Sequence, residues 1–131
     1  TNDMQAAGGN QTGAQAWANT LTMVTNARNA GLTDIYVPTV FVRSAANAGA
    51  GFEARRQAYN ALLRANAAAN GIILIDLVSI FPELDLTANI TDTSILIDQI
   101  HPTPKYYGKI NAEFAKAIQG TWYNQVVTVF S

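Results

Sequence analysis

Apolar positions recur along the chain in two rhythms. Between residues 14 and 30, Trp17, Leu21 and Val24 fall three and four apart, and Arg28 closes the stripe as a polar edge. That spacing predicts a helix with one buried face, and Gly31 supplies its stop. Residues 35–42 (Ile-Tyr-Val-Pro-Thr-Val-Phe-Val) are almost continuously apolar, β-branched or aromatic. Such a run predicts a strand buried on both faces, as in a parallel sheet covered by helices. Pro38 has no ladder donor, so it fits a bulge or a side of the strand without a full ladder.

Helical spacing returns over residues 52–70. Phe52, Tyr59, Leu62 and Leu63 make the apolar stripe; Glu53, Arg56 and Arg64 lie off it, and Arg55-Arg56 reads as a solvated face. Asn70-Gly71 ends the helix with residues that tolerate a left-handed backbone. Residues 72–77 (Ile-Ile-Leu-Ile-Asp-Leu) predict a second buried strand, and residues 78–97 a long loop turning at Phe81-Pro82. Thr103 suits an N-cap with Pro104 at the first helical position. Tyr107, Ile110, Phe114 and Ala117 or Ile118 form the expected buried face of this last helix. Gly120 would end it, and residues 125–130 read as a short terminal strand.

Helix, strand, helix, strand, helix is an alternation that predicts an α/β layered fold with a parallel sheet. Two strands are few for three helices. A parallel pair leaves an open apolar edge, so the chain alone is expected to be insoluble, molten or obligately associated.

Composition narrows the picture further. The 131 residues suffice for one domain, and 49% apolar with 13% charged side chains fits a globular core rather than disorder. A net charge of −1 gives no electrostatic case for nucleic acid or an anionic membrane surface. No apolar run approaches the roughly 20 residues of a membrane span. Cys is absent, which excludes disulfides, thiolate metal sites and a Cys nucleophile. Thr1 is not a start Met, which points to an N-terminus set by processing or truncation. The compartment stays open, leaning slightly to an extracellular or periplasmic one.

Chemistry concentrates at the single histidine, His101, in Asp98-Gln99-Ile100-His101-Pro102-Thr103. A carboxylate three residues before a histidine can accept from one ring nitrogen and leave the other free as a base. The bland alternative is a loop carboxylate and a helix-cap histidine. One His cannot build a metal cluster, and no cofactor is called for. Thr1-Asn2-Asp3-Met4 taken alone reads as a solvated terminus. Tyr106-Tyr107 and Trp122-Tyr123 could line a cleft, although such pairs usually pack helix ends.

Taken together, Asn2-Asp3 at the start and Asp98-x-x-His101-Pro102 before the last helix resemble the SGNH (GDSL-type) hydrolase family. In that family a Gly-x-Asn-Asp block follows the third strand and an Asp-x-x-His block precedes the final helix. The two apolar runs match the family's fourth and fifth strands in order and spacing. The resemblance implies a three-layer α/β/α, flavodoxin-like fold with a parallel sheet. Residues 1–131 would be the C-terminal part of a single SGNH-hydrolase-like domain, supplying the last two strands and about three helices. It implies a serine esterase that works through an acyl-enzyme without a cofactor. His101 would be the general base, Asp98 its orienting carboxylate and Asn2 an oxyanion-hole donor, with Asp3 a structural partner of its loop. The substrate would be a small ester, such as an acetyl group on carbohydrate, or else a lipid or simple alkyl ester.

The family's Gly-Asp-Ser nucleophile block is missing. Ser44, Ser79, Ser94 and Ser131 are the only serines, and none lies in that context. The expected partner is therefore a second polypeptide carrying the block. A truncated chain, or Thr1 acting as an N-terminal nucleophile, are the other readings. From a different class, the chain would be a non-catalytic α/β fragment for binding or assembly.

Overall fold

A computed structural model describes residues 4, 5 and 9–130, with side chains as far as residue 120. Helix α1 spans Gly13–Asn29 and starts on a capping box. Thr12 Oγ1 accepts from the Gln15 N–H (3.2 Å), and the Gln15 side chain accepts from the Thr12 N–H (2.8 Å). Two donors that a helix start leaves without partners are thereby satisfied. Trp17 and Val24 are buried as the stripe predicts, with Leu21 packed at their edge.

Strand β1 is Tyr36–Pro38 and strand β2 is Ile73–Ile75. They pair in parallel, Tyr36 opposite Ile73 and Pro38 opposite Ile75. Both are shorter than the apolar runs. After Thr39 donates to the Ile75 carbonyl (3.0 Å), the ladder stops. Val40 instead exchanges two hydrogen bonds with the Asn60 amide, at 2.8 Å each. A side-chain amide there takes the place of a strand neighbour, so Thr39, Val40 and Val42 are buried without belonging to the sheet. Past β2, Asp76 precedes the short helix α4, Leu77–Ile80, inside the stretch expected to continue as strand and then loop. Three-residue and five-residue 3₁₀ turns follow at Pro82–Leu84 and Thr87–Thr91.

Between the strands lie helix α2, Ala45–Ala48, and helix α3, Phe52–Asn66, the latter extended by a 3₁₀ turn at Ala68–Asn70. The buried residues of α3 are Phe52, Arg56, Tyr59, Asn60 and Leu63. Their spacing is that of one helical face. Arg56 is thus at the centre of the stripe, fully buried, and the expected solvated face is wrong for it. Its guanidinium grips the Glu53 carboxylate through Nε and Nη2. Its Nη1 donates to Asp85 Oδ1 (2.7 Å) and to the Val40 carbonyl (2.8 Å). Arg55 does lie outward, donating to the Met4 carbonyl and to Asn10.

Helix α5 runs Pro104–Phe130. Gly120 keeps a helical backbone, and residues 125–130 are helix rather than the expected strand. Tyr106 and Ile110 are the buried residues of its first turns; Tyr107 and Ile118 are exposed, against expectation. The Thr103 hydroxyl donates to the Ser94 carbonyl (3.2 Å).

Two cores result, one on each face of the sheet. Ile35, Val37 and Leu74 face α1 and α3; Tyr36 and Ile75 face the α4 and α5 side. The described chain is thus a small α/β layer, a two-stranded parallel sheet between helices. No helix among the described residues is long and apolar enough to cross a membrane.

Candidate active site

The Asp98–His101 segment is a loop closed by its own flanks. Leu96 and Pro102 form an isolated antiparallel bridge, the Ile97 N–H donates to the His101 carbonyl (2.8 Å), and the Thr103 N–H donates to the Ile95 carbonyl (2.9 Å). Gln99 completes the reversal with φ of 66°, a left-handed conformation that is uncommon for a side chain of this kind. The Gln99 carbonyl accepts from the Ser44 N–H (3.0 Å), and Asn47 Nδ2 reaches the Asp98 carbonyl (3.5 Å). These contacts pin the loop to the segment that leaves the carboxyl end of β1. In open α/β sheets ligands bind beyond the carboxyl ends of the strands.

Inside the loop the two expected side chains meet. Asp98 Oδ2 lies 2.7 Å from His101 Nδ1. Asp98 Oδ1 accepts from the backbone N–H of Ile100 (3.1 Å) and of His101 (2.8 Å). The histidine bond first, then the backbone donors, hold the Asp98 carboxyl down at about 2. Asp98 is therefore an anion across the working range and can only accept. The proton of a neutral ring then sits on Nδ1, which leaves Nε2 with its lone pair. Both side chains remain open to solvent, His101 at 58% and Asp98 at 51%, so a reactant can reach the ring.

The other expected residues fall out differently. Asn2, Thr1 and Asp3 lie outside the described residues. Ser44 is buried, and its hydroxyl accepts from the Ala46 N–H (3.2 Å) at the start of α2. The Ser79 hydroxyl donates to Asp76 Oδ2 (2.7 Å). Among the described residues no serine hydroxyl bonds the His101 ring, and no group of three or more His, Cys, Asp or Glu could hold a metal ion.

One residue the sequence pattern did not single out lies beside the pair. Arg43 is half-buried, and the Asp98 carboxylate is an anion whose charge acts on its guanidinium. Its guanidinium carbon stands 6.0 Å from the centroid of the Phe41 ring. The only signal in the sequence was a cation placed directly after the first apolar run. A separate cavity of about 380 Å³ opens between α1 and β1, lined by Met23, Val24, Ala27, Ile35 and Val37.

No family model, no curated protein and no solved structure matches the chain.

Proposed function

We propose that the chain is the histidine-bearing part of a serine ester hydrolase. The observation that carries this reading is the 2.7 Å bond between Asp98 Oδ2 and His101 Nδ1, in a loop fixed near the carboxyl end of β1, with no hydrogen bond to Nε2 from any of the described residues. In the proposed reaction a serine hydroxyl attacks the ester carbonyl while His101 Nε2 takes its proton. Asp98 stabilises the imidazolium, and His101 returns the proton to the departing alcohol. Water then repeats the sequence on the acyl-enzyme. Asn2 would donate its amide to the oxyanion, a contact of a kind that typically contributes about 10²–10³ in rate. The finer fold assignment, an SGNH-type three-layer domain, belongs to the same proposal, as does a small acyl ester as substrate.

The serine is assigned to a second polypeptide with a Gly-Asp-Ser block, and the sheet supports a missing neighbour. On either side of β1 the Ile35 carbonyl and the Thr39 N–H bond to Ile73 and Ile75 of β2. By the alternation of a parallel ladder, the Tyr36 N–H and carbonyl point to the opposite edge. Among the described residues they have no backbone partner there. That edge adjoins the apolar cavity beside α1, where Met23 is 71% exposed.

A second reading takes the loop as purely structural, with Asp98 organising the turn through its two backbone bonds and His101 closing it. The half-exposure of both side chains is the feature that favours it. Hydrolysis of p-nitrophenyl acetate by the purified protein and by His101→Ala separates the two. Loss of hydrolysis in the variant is expected; activity that survives the substitution sinks the esterase reading.

A further inference from the structure

We propose that Ile97 is a substrate-contact residue that packs the alcohol part of the ester beside the His101 ring, and that the substrate is an ester of an apolar alcohol. The inference names the substrate class of the proposed ester hydrolase. It rests on that reading for the reaction, while the contact can be read without turnover.

Ile97 and His101 close the tip of a short antiparallel ribbon. Leu96 is bridged to Pro102. The bonds flanking that pair run from the Ile97 N–H to the His101 carbonyl (2.8 Å) and from the Thr103 N–H to the Ile95 carbonyl (2.9 Å). One step further along such a ribbon the next two residues stand opposite each other, on the other face, with β-carbons about 4.5–5.5 Å apart. Burial follows this alternation. Leu96 and Pro102 are fully buried, whereas Ile97 is 55% exposed and the His101 side chain 58%. The outward face of the loop therefore presents an imidazole and a branched alkyl side chain together.

A lone exposed apolar side chain is ordinary on a protein surface, so exposure by itself assigns Ile97 nothing. Its place beside the base does. When His101 returns its proton to the departing alcohol, the alcohol oxygen must come within about 3 Å of Nε2. Asp98 holds the ring through Nδ1 at 2.7 Å, which keeps the ring on that outward face. The carbon chain borne by the alcohol oxygen then lies next to Ile97. Ile97 belongs to neither of the two cores. Covering it with an alkyl or aryl group removes apolar surface from water on both partners. A hydroxyl-rich alcohol would instead set its hydroxyls against methyl groups that offer no hydrogen bond.

The test holds the acyl group constant and lengthens the alcohol, from ethyl through butyl to hexyl acetate. A fully buried methylene contributes about fourfold; one covered on a single side contributes about twofold, so kcat/KM of the wild-type protein should favour hexyl over ethyl acetate by about tenfold. Ile97→Thr keeps the β-branch at this exposed position and exchanges the ethyl arm for a hydroxyl. It should lower the hexyl-to-ethyl ratio by about threefold or more. A wild-type ratio near one, or a ratio unchanged in Ile97→Thr, overturns the assignment. So does an equal loss on all three esters together with loss of the co-purifying polypeptide, which would place Ile97 in the contact between chains. Hexan-1-ol reads the contact without turnover, by NMR of the ring protons of the single histidine. Saturable shifts are expected that ethanol does not produce and that Ile97→Thr weakens. If they appear while no ester is cleaved, the apolar contact stands and the esterase reading falls. If the esters are cleaved with a flat chain-length profile and hexan-1-ol leaves the ring unmoved, the esterase reading stands and the contact falls.

Discussion

Replacing Asp98 by Asn tests the geometry of the pair without removing its bulk. The amide oxygen can keep both backbone bonds that Asp98 Oδ1 accepts, from Ile100 and His101. Its other end becomes an NH₂ group facing Nδ1, where the carboxylate oxygen now lies at 2.7 Å. Two donors cannot face each other, so the ring proton moves to Nε2 and Nδ1 becomes the acceptor. Nε2 then has no lone pair for a serine proton, and the imidazolium loses its counter-charge. In a Ser-His-Asp triad this substitution costs about 10⁴ in kcat. The half-exposed ring can also rotate into water here, so the expected loss is about 10²–10⁴, with KM little changed. kcat for p-nitrophenyl acetate measures the loss. Long-range proton–nitrogen NMR reports the tautomer directly, and with a single histidine in the chain the assignment is unambiguous. A variant within about tenfold of wild type, or a wild-type neutral ring protonated on Nε2, refutes the reasoning.

Three further outcomes follow from the packing. Arg56→Met takes the cation from Glu53 and Asp85 and removes one of the two donors on the Val40 carbonyl, whose bond from Asn60 remains; because both carboxylates keep some contact with water, urea unfolding should show a loss of about 2–3 kcal/mol, below the about 3–5 of a fully buried pair. Gly13→Ala places a methyl 2.6 Å from the Tyr59 backbone nitrogen and 2.7 Å from the Arg55 carbonyl oxygen. Neither can yield, and the same measurement should show about 1–3 kcal/mol of destabilisation despite alanine's better helix propensity. The Asp76 carboxyl is held at about 2 rather than 3.8, first by Arg64 and then by Ser79 and Thr39. The unfolded state therefore binds more protons between these values, so this stabilisation is complete above about pH 4 and lost as pH falls through about 2. Acid unfolding of Asp76→Asn should be flatter across that window.

The sequence made the α/β alternation and the Asp98–His101 contact legible, because both rest on local spacing. The apolar stripe of α1 and the i, i+3 geometry of the pair need no distant partner to be read. What it hid depends on residues far along the chain. Residues 39–42 look like strand, yet Val40 is satisfied by Asn60 and Arg56, twenty and sixteen residues away. Arg56 looked solvated because the pattern counts charge as outward; Asp85, 29 residues on, is part of what lets it sit inward. The choice between Tyr106 and Tyr107 turned on one residue of helix phase. Tyr106 goes inward, with its hydroxyl donating to Glu83 Oε1 (2.7 Å). Gly120 looked like a stop, but it would serve as one only in a left-handed backbone, and here the helix continues through it.

Asp98 and His101 are proposed to serve a serine that another polypeptide carries. Labelling the purified protein with a fluorophosphonate, followed by intact-mass and peptide analysis of every polypeptide present, tests it most directly. The account predicts one adduct, on the serine of a Gly-Asp-Ser sequence in a co-purifying polypeptide, that disappears in His101→Ala. Absence of any adduct on active protein, or labelling that persists undiminished in His101→Ala, would contradict it.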